Sequence, residues 1–168
     1  MGHVGTTLLG NQNSGHFSAA GMMSLNDFTP SQPQSLDLSV YTQEHPILVT
    51  DDQQPILDLY RAMFAVHSLT SLATSDGLEA WSVCQTTSIS LVISDLRKPG
   101  LSGMELFQRL KSNPSTANIP FIIVTATPSP AIKQEFLQQG GTAFMTKPII
   151  PSTFVRFVID LLRTEAHS

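Results

Sequence analysis

The stretch "LVISDLRKPGLSG", residues 91–103, runs from an apolar segment into a turn. It begins as four β-favouring residues and ends at a bare carboxylate, Asp95, followed by a proline and two glycines where the chain must turn. A continuous apolar run of this length, bounded by turn residues, reads as a strand buried on both faces, the pattern of a parallel sheet covered by helices. Working outward, four more runs of the same kind appear. "PILVT" (46–50), "LTSLA" (69–73), "PFIIVT" (120–125) and "TAFMT" (142–146) complete a set of five strands with residues 89–94 as the third. The segments between them carry helical period. Ile56, Leu59, Tyr60 and Met63 fall on one face of a helix with Pro55 in its first turn. A second helix follows Asp76 and Gly77 and carries Leu78, Trp81 and Val83. A third starts near Gly103, uses Leu106, Phe107 and Leu110, and stops before Asn113 and Pro114. A fourth spans about 130–139 and a fifth about 151–164. Strand and helix alternating five times predict an α/β domain, a flavodoxin-like doubly wound (βα)5 parallel sheet with right-handed crossovers.

The chain has 168 residues, 41% of them apolar, which is material for one domain. Residues 1–44 are rich in Gly, Ser, Asn, Gln and Pro, show no sustained period, and are expected to be a disordered tail before a domain at 45–165. The opening "MGHVGT" matches the N-myristoylation pattern, an assignment the sequence does not favour. "MMSLNDF" offers either an alternative start or a short docking piece, with disorder the preferred expectation. A net charge of −4 gives no electrostatic footprint for direct contact with nucleic acid. No apolar run approaches a membrane span, and the first Lys or Arg is Arg61, so the expected location is cytoplasmic with no membrane partner. The single Cys84 reads as a small core residue.

In open α/β sheets ligands sit beyond the carboxyl ends of the strands, where strand order reverses. For the order 2-1-3-4-5 that place lies between strands one and three. Strand one ends at Asp51 and Asp52, and strand three at Asp95. Two unit charges about 4 Å apart repel by roughly 4 kcal/mol at an effective dielectric near 20, so three carboxylates in one crevice call for a cation. A hard divalent ion with oxygen ligands, Mg²⁺, is the natural visitor. Thr125 ends strand four and Lys147 ends strand five, and both aim at the same rim.

With these motifs in place, the chain resembles the response-regulator receiver domains of two-component phosphorelay signalling, through "ILVTDDQ", "LVISDLRKPGLSG", "IPFIIVTA" and "AFMTKP" across about 45–164. The resemblance implies that Asp95 is the phosphoacceptor and that Asp51 and Asp52 organise Mg²⁺ with Asp95 and the backbone carbonyl of Arg97. It implies that Thr125 binds the phosphoryl group, that Lys147 pairs with it, that Phe144 is an aromatic switch, and that the Lys147–Pro148 bond is cis. It further implies a histidine kinase or histidine phosphotransfer protein as donor, and signalling rather than enzymatic turnover. Lys98 departs from the family, standing where relatives usually carry methionine, and Arg97 and Thr127 occupy positions that tune acyl-phosphate lifetime. With nothing left for an output module, the expectation is a stand-alone receiver acting by contact with a target or a second copy. Helix four, strand five and helix five form the candidate face: Val155, Val158, Ile159 and Leu162 of the last helix form its core stripe, and Phe154, Phe157 and Leu161 lie off it. Two alternatives stand beside this reading. One is a receiver-like scaffold that is never phosphorylated. The other is a haloacid dehalogenase-like phosphohydrolase, whose second acid two residues after the nucleophile is replaced here by Arg97.

Overall fold

A computed structural model describes residues 36–168. Five parallel strands, β1 (Ile47–Thr50), β2 (Ser71–Thr74), β3 (Leu91–Ser94), β4 (Phe121–Thr125) and β5 (Ala143–Thr146), form one sheet in the order β2-β1-β3-β4-β5. The three inner strands are buried at every position, which is why each reads as an unbroken apolar run. Alternate side chains feed two cores. Ile47, Val49, Leu91, Ile93, Ile122 and Val124 point to one face, where α2 (Gln54–Val66) and α6 (Pro151–Glu165) cover them. Leu48, Val92, Phe121 and Ile123 point to the other, under α3 (Gly77–Thr86), α4 (Gly103–Ser112) and α5 (Pro130–Gln138). Cys84 is buried in this second core, as expected.

Several helical faces differ from the sequence reading. On α2 the buried stripe is Leu57, Tyr60, Met63 and Phe64, while Leu59 is exposed and Ile56 only partly covered. On α3 the inward residues are Gly77, Ala80 and Cys84, and Leu78 is half exposed. A Cβ on Gly77 would fall 2.1 Å from the Leu101 carbonyl oxygen, so backbone contact with the loop before α4 dictates which face turns in. On α6, Phe154 belongs to the core rather than to a second stripe. Its ring meets Tyr60 edge-on at 5.6 Å. Leu161 also packs against that core, which leaves Phe157 as the exposed member of the trio.

One more helix precedes β1, within the segment expected to be a tail. Asp37 caps α1 (Leu38–Glu44), accepting the Ser39 backbone N–H at 2.9 Å. Leu38 and Thr42 are buried, and the Thr42 hydroxyl donates to the Leu38 carbonyl while accepting the Thr70 N–H at 2.9 Å. This seven-residue helix is too short to persist alone and is held by its contact with the start of β2 and with α6. The rest of the expected tail, with its "MGHVGT" and "MMSLNDF" pieces, lies outside the described residues. Among the described residues no helix is long and apolar enough to cross a membrane.

Candidate functional site

The sheet order puts β1 beside β3, and the ladder continues one residue past each strand. The Asp51 N–H donates to the Thr74 carbonyl at 3.1 Å, and the Asp95 N–H to the Thr50 carbonyl at 3.0 Å. Both aspartates are thus fixed at the carboxyl edge of adjacent strands. Each then uses one carboxylate oxygen to close its own turn: Asp51 Oδ1 accepts the Gln53 N–H at 2.9 Å, and Asp95 Oδ1 accepts the Arg97 N–H at 3.0 Å. The second oxygens converge on one ammonium. Lys147 Nζ donates to Asp51 Oδ2 at 2.5 Å and to Asp95 Oδ2 at 2.6 Å. Lys147 is held there by β5, its N–H bonded to the Thr125 carbonyl, and the Lys147–Pro148 peptide that follows is cis.

Asp51, Asp52 and Asp95 each bring a carboxylate oxygen within 4.8 Å of the other two. Asp51 and Asp95 are buried and Asp52 is exposed at the mouth. Burial raises the Asp51 carboxyl above the usual carboxylate range, and the bond from Lys147 recovers only part of that cost. For Lys147 burial works against the charge, but the hydrogen bonds and charges of Asp51 and Asp95 prevail and its pKa is raised. The buried Tyr60 phenol is pushed up by burial and then by the Asp51 and Asp95 charges. Oxygen donors alone, with two carboxylates competing for one ammonium, fit a hard divalent cation.

The two glycines that close the opening stretch have separate reasons. Gly100 takes a left-handed φ of 76°, and a Cβ there would lie 2.4 Å from the Asp76 carboxylate that caps α3. A Cβ on Gly103 would stand 2.5 Å from the Asp95 carbonyl oxygen. The N-terminus of α4 therefore approaches the Asp95 backbone as closely as any residue allows.

Thr125 is buried at the end of β4, its hydroxyl accepting the Thr127 N–H at 3.2 Å. Phe144 is partly buried, its ring edge-on to Phe136 at 6.1 Å. Arg97 sits in the turn after Asp95 with its side chain exposed. One participant escaped the sequence reading. Lys98 Nζ donates to Ser94 Oγ at 2.7 Å and to the Asp95 carbonyl at 3.2 Å, and Ser94 Oγ also donates to that carbonyl at 2.8 Å. Burial lowers the Lys98 pKa to about 8 against the pull of Asp95, Asp51, Asp76 and Asp52. Its only sequence signal was an unexpected residue type.

The chain belongs to the response regulator receiver domain family, whose model matches residues 47–158. It is 33% identical over 124 residues to the cyclic di-GMP phosphodiesterase response regulator RpfG of Xanthomonas campestris, across 73% of this chain and 33% of that one. The polar-differentiation response regulator DivK of Brucella anthropi is 26% identical over 69% of this chain and 94% of its own. Among solved structures, the receiver domain of the Francisella response regulator 1452 superposes with a TM-score of 0.66 at 27% identity, covering 71% of this chain and 98% of that one. The chain spans about half or less of the length of the curated relatives it first matches. Receiver domains are the signalling modules of two-component systems, and phosphorylation and magnesium binding are typical of the family.

Proposed function

We propose that this protein is a phosphorylation-controlled receiver in which Asp95 takes a phosphoryl group from a phosphohistidine of a histidine kinase or histidine phosphotransfer protein. The reading is carried by one observation: the Asp95 and Asp51 carboxylates share the Lys147 ammonium at the switch point of the sheet. Asp95 Oδ attacks phosphorus, the P–N bond breaks, and the leaving imidazole departs with its electron pair and takes up a proton, leaving an acyl phosphate. Donor and nucleophile are both anionic, so the protein's contribution is placement and neutralisation. The Arg97 N–H fixes the rotamer of Asp95 through Oδ1. Lys147, already bonded to Asp95, meets the incoming oxygens, and Thr125 supplies a hydroxyl. Asp51, Asp52, Asp95 and the Arg97 carbonyl would hold Mg²⁺, which neutralises phosphoryl oxygens.

Transfer of Thr125 toward the phosphoryl group draws in the loop after β4 and favours burial of Phe144, whose partial exposure leaves room for that move. The output is protein contact. On the α5–β5–α6 face, Ile150 and Phe157 are exposed beside a groove of about 340 Å³ lined also by Met145 and Phe154. A target protein or a second copy docks there. Incubation with acetyl phosphate and Mg²⁺ followed by intact mass tests the phosphoacceptor: gain of one labile phosphoryl group, absent in Asp95→Asn, is expected. No gain would support the unphosphorylated scaffold, and steady phosphate release from monoesters the phosphohydrolase. Sedimentation of wild type and Phe157→Ser, with and without beryllium fluoride, tests the face. Identical monomers throughout would exclude self-association.

A further inference from the structure

We propose that Lys98 is a built-in second cation of the Asp95 site, a positioning residue that anchors the phosphoacceptor turn through the Asp95 carbonyl and keeps divalent metal weakly bound until a phosphoryl group arrives. This inference rests on the phosphoacceptor reading given above. Lysine is a costly choice at this position, because its partly buried ammonium is turned in to Ser94 and the Asp95 backbone rather than left free on the surface. Its partners explain the arrangement. Ser94 Oγ accepts a hydrogen bond from the ammonium and donates its own to the Asp95 carbonyl, so the lysine and the serine together hold the peptide from which the Asp95 side chain springs. Lys98 bonds the Ser94 hydroxyl and the Asp95 carbonyl, whereas Lys147 bonds the carboxylate oxygens directly, so the two cations do not duplicate each other.

The charge count shows what the second cation does. Asp51, Asp52 and Asp95 with Lys147 leave a formal −2, and Lys98 reduces it to −1. A divalent ion entering the resting site therefore meets one repelling charge more than it would without Lys98, and the extra negative charge of an acyl phosphate offsets it. A unit charge acting on a divalent ion across several ångströms of water-like dielectric is worth roughly a factor of ten in affinity.

The test is an NMR titration of the full chain with MgCl₂, following backbone amide shifts, for wild type, Lys98→Met and Lys98→Gln. Methionine keeps the unbranched stem, and glutamine keeps a donor for Ser94, so each removes the charge with a different residual contact. Both variants are expected to bind Mg²⁺ about tenfold more tightly than wild type. The sign is decisive, because a lysine that merely shaped the turn would weaken metal binding when replaced. Thermal melting of each variant without metal identifies one that fails to fold, and the other then carries the comparison. Affinities equal to or weaker than wild type in the folded variants would overturn the role of Lys98 while leaving the phosphoacceptor reading intact. A wild type that binds no Mg²⁺ at all would remove both.

Discussion

Replacing Lys147 by methionine keeps most of the side chain's apolar stem and deletes the ammonium that Asp51 and Asp95 share. Both carboxylates are buried, their side chains 2% and 9% exposed, so solvent cannot screen them effectively once the cation is gone. At the 4.8 Å limit on their separation, two unit charges at an effective dielectric near 20 repel by about 3.5 kcal/mol. Breaking a buried ion pair by removing one partner costs about 3–5 kcal/mol in general. The Lys147→Met protein is therefore expected to lose about 3 kcal/mol at pH 8. The loss must depend on pH with a definite sign. Burial already raises Asp51, and without Lys147 its folded pKa rises further. A carboxyl raised in the folded state contributes stability at pH values below its unfolded pKa, about 3.9, and loses it as pH climbs through the folded value. The gap between wild type and variant should therefore widen with rising pH. Urea denaturation followed by circular dichroism at a series of pH values reads this directly. Mg²⁺ should narrow the gap at pH 8 by binding the folded variant. A gap that is absent at pH 8, or the same at pH 5 and pH 8, would refute the claim that Lys147 neutralises two buried carboxylates.

Three further expectations concern the scaffold. Phe136 is fully buried among Phe107, Phe121 and Phe144, so Phe136→Ala should cost about 3–5 kcal/mol in chemical denaturation. A loss below about 1 kcal/mol would mean that this aromatic cluster collapses around the vacancy far more than cores do. Thr42→Val leaves the Thr70 N–H without its side-chain acceptor and should cost about 1–3 kcal/mol, whereas an unchanged midpoint would show that α1 is not docked through that bond. Burial pushes the Cys84 thiol up to about 12, so maleimide labelling at pH 8 should proceed only as fast as the protein unfolds. Labelling at the rate of a free thiol would place Cys84 outside the core.

How much of this was legible in the sequence follows from where each signal arises. The inner strands were readable because burial on both faces leaves them uniformly apolar, and the meeting of Asp51, Asp95 and Lys147 because they stand at the carboxyl ends of β1, β3 and β5. Helical faces were less readable. Leu78 looked like a core residue, but close approach of the α3 backbone to Leu101 turns Gly77, Ala80 and Cys84 inward. Phe154 looked surplus until Tyr60 from a distant helix met it. The helix at Leu38–Glu44 showed no sustained period because Leu38 and Thr42 are its only buried positions. Lys98 was visible only as an odd residue, since its partners, Ser94 and the Asp95 carbonyl, are defined by the turn rather than by spacing.

Phosphorylation is expected on one carboxylate oxygen of Asp95, and one reaction locates it. Treating the acetyl phosphate-reacted protein with sodium borohydride reduces an aspartyl phosphate to homoserine, and peptide mass mapping then locates the change. Homoserine is expected at position 95 alone, dependent on Mg²⁺ during the reaction. Homoserine at position 51 or 52, or an unmodified Asp95 in phosphorylated protein, would contradict it.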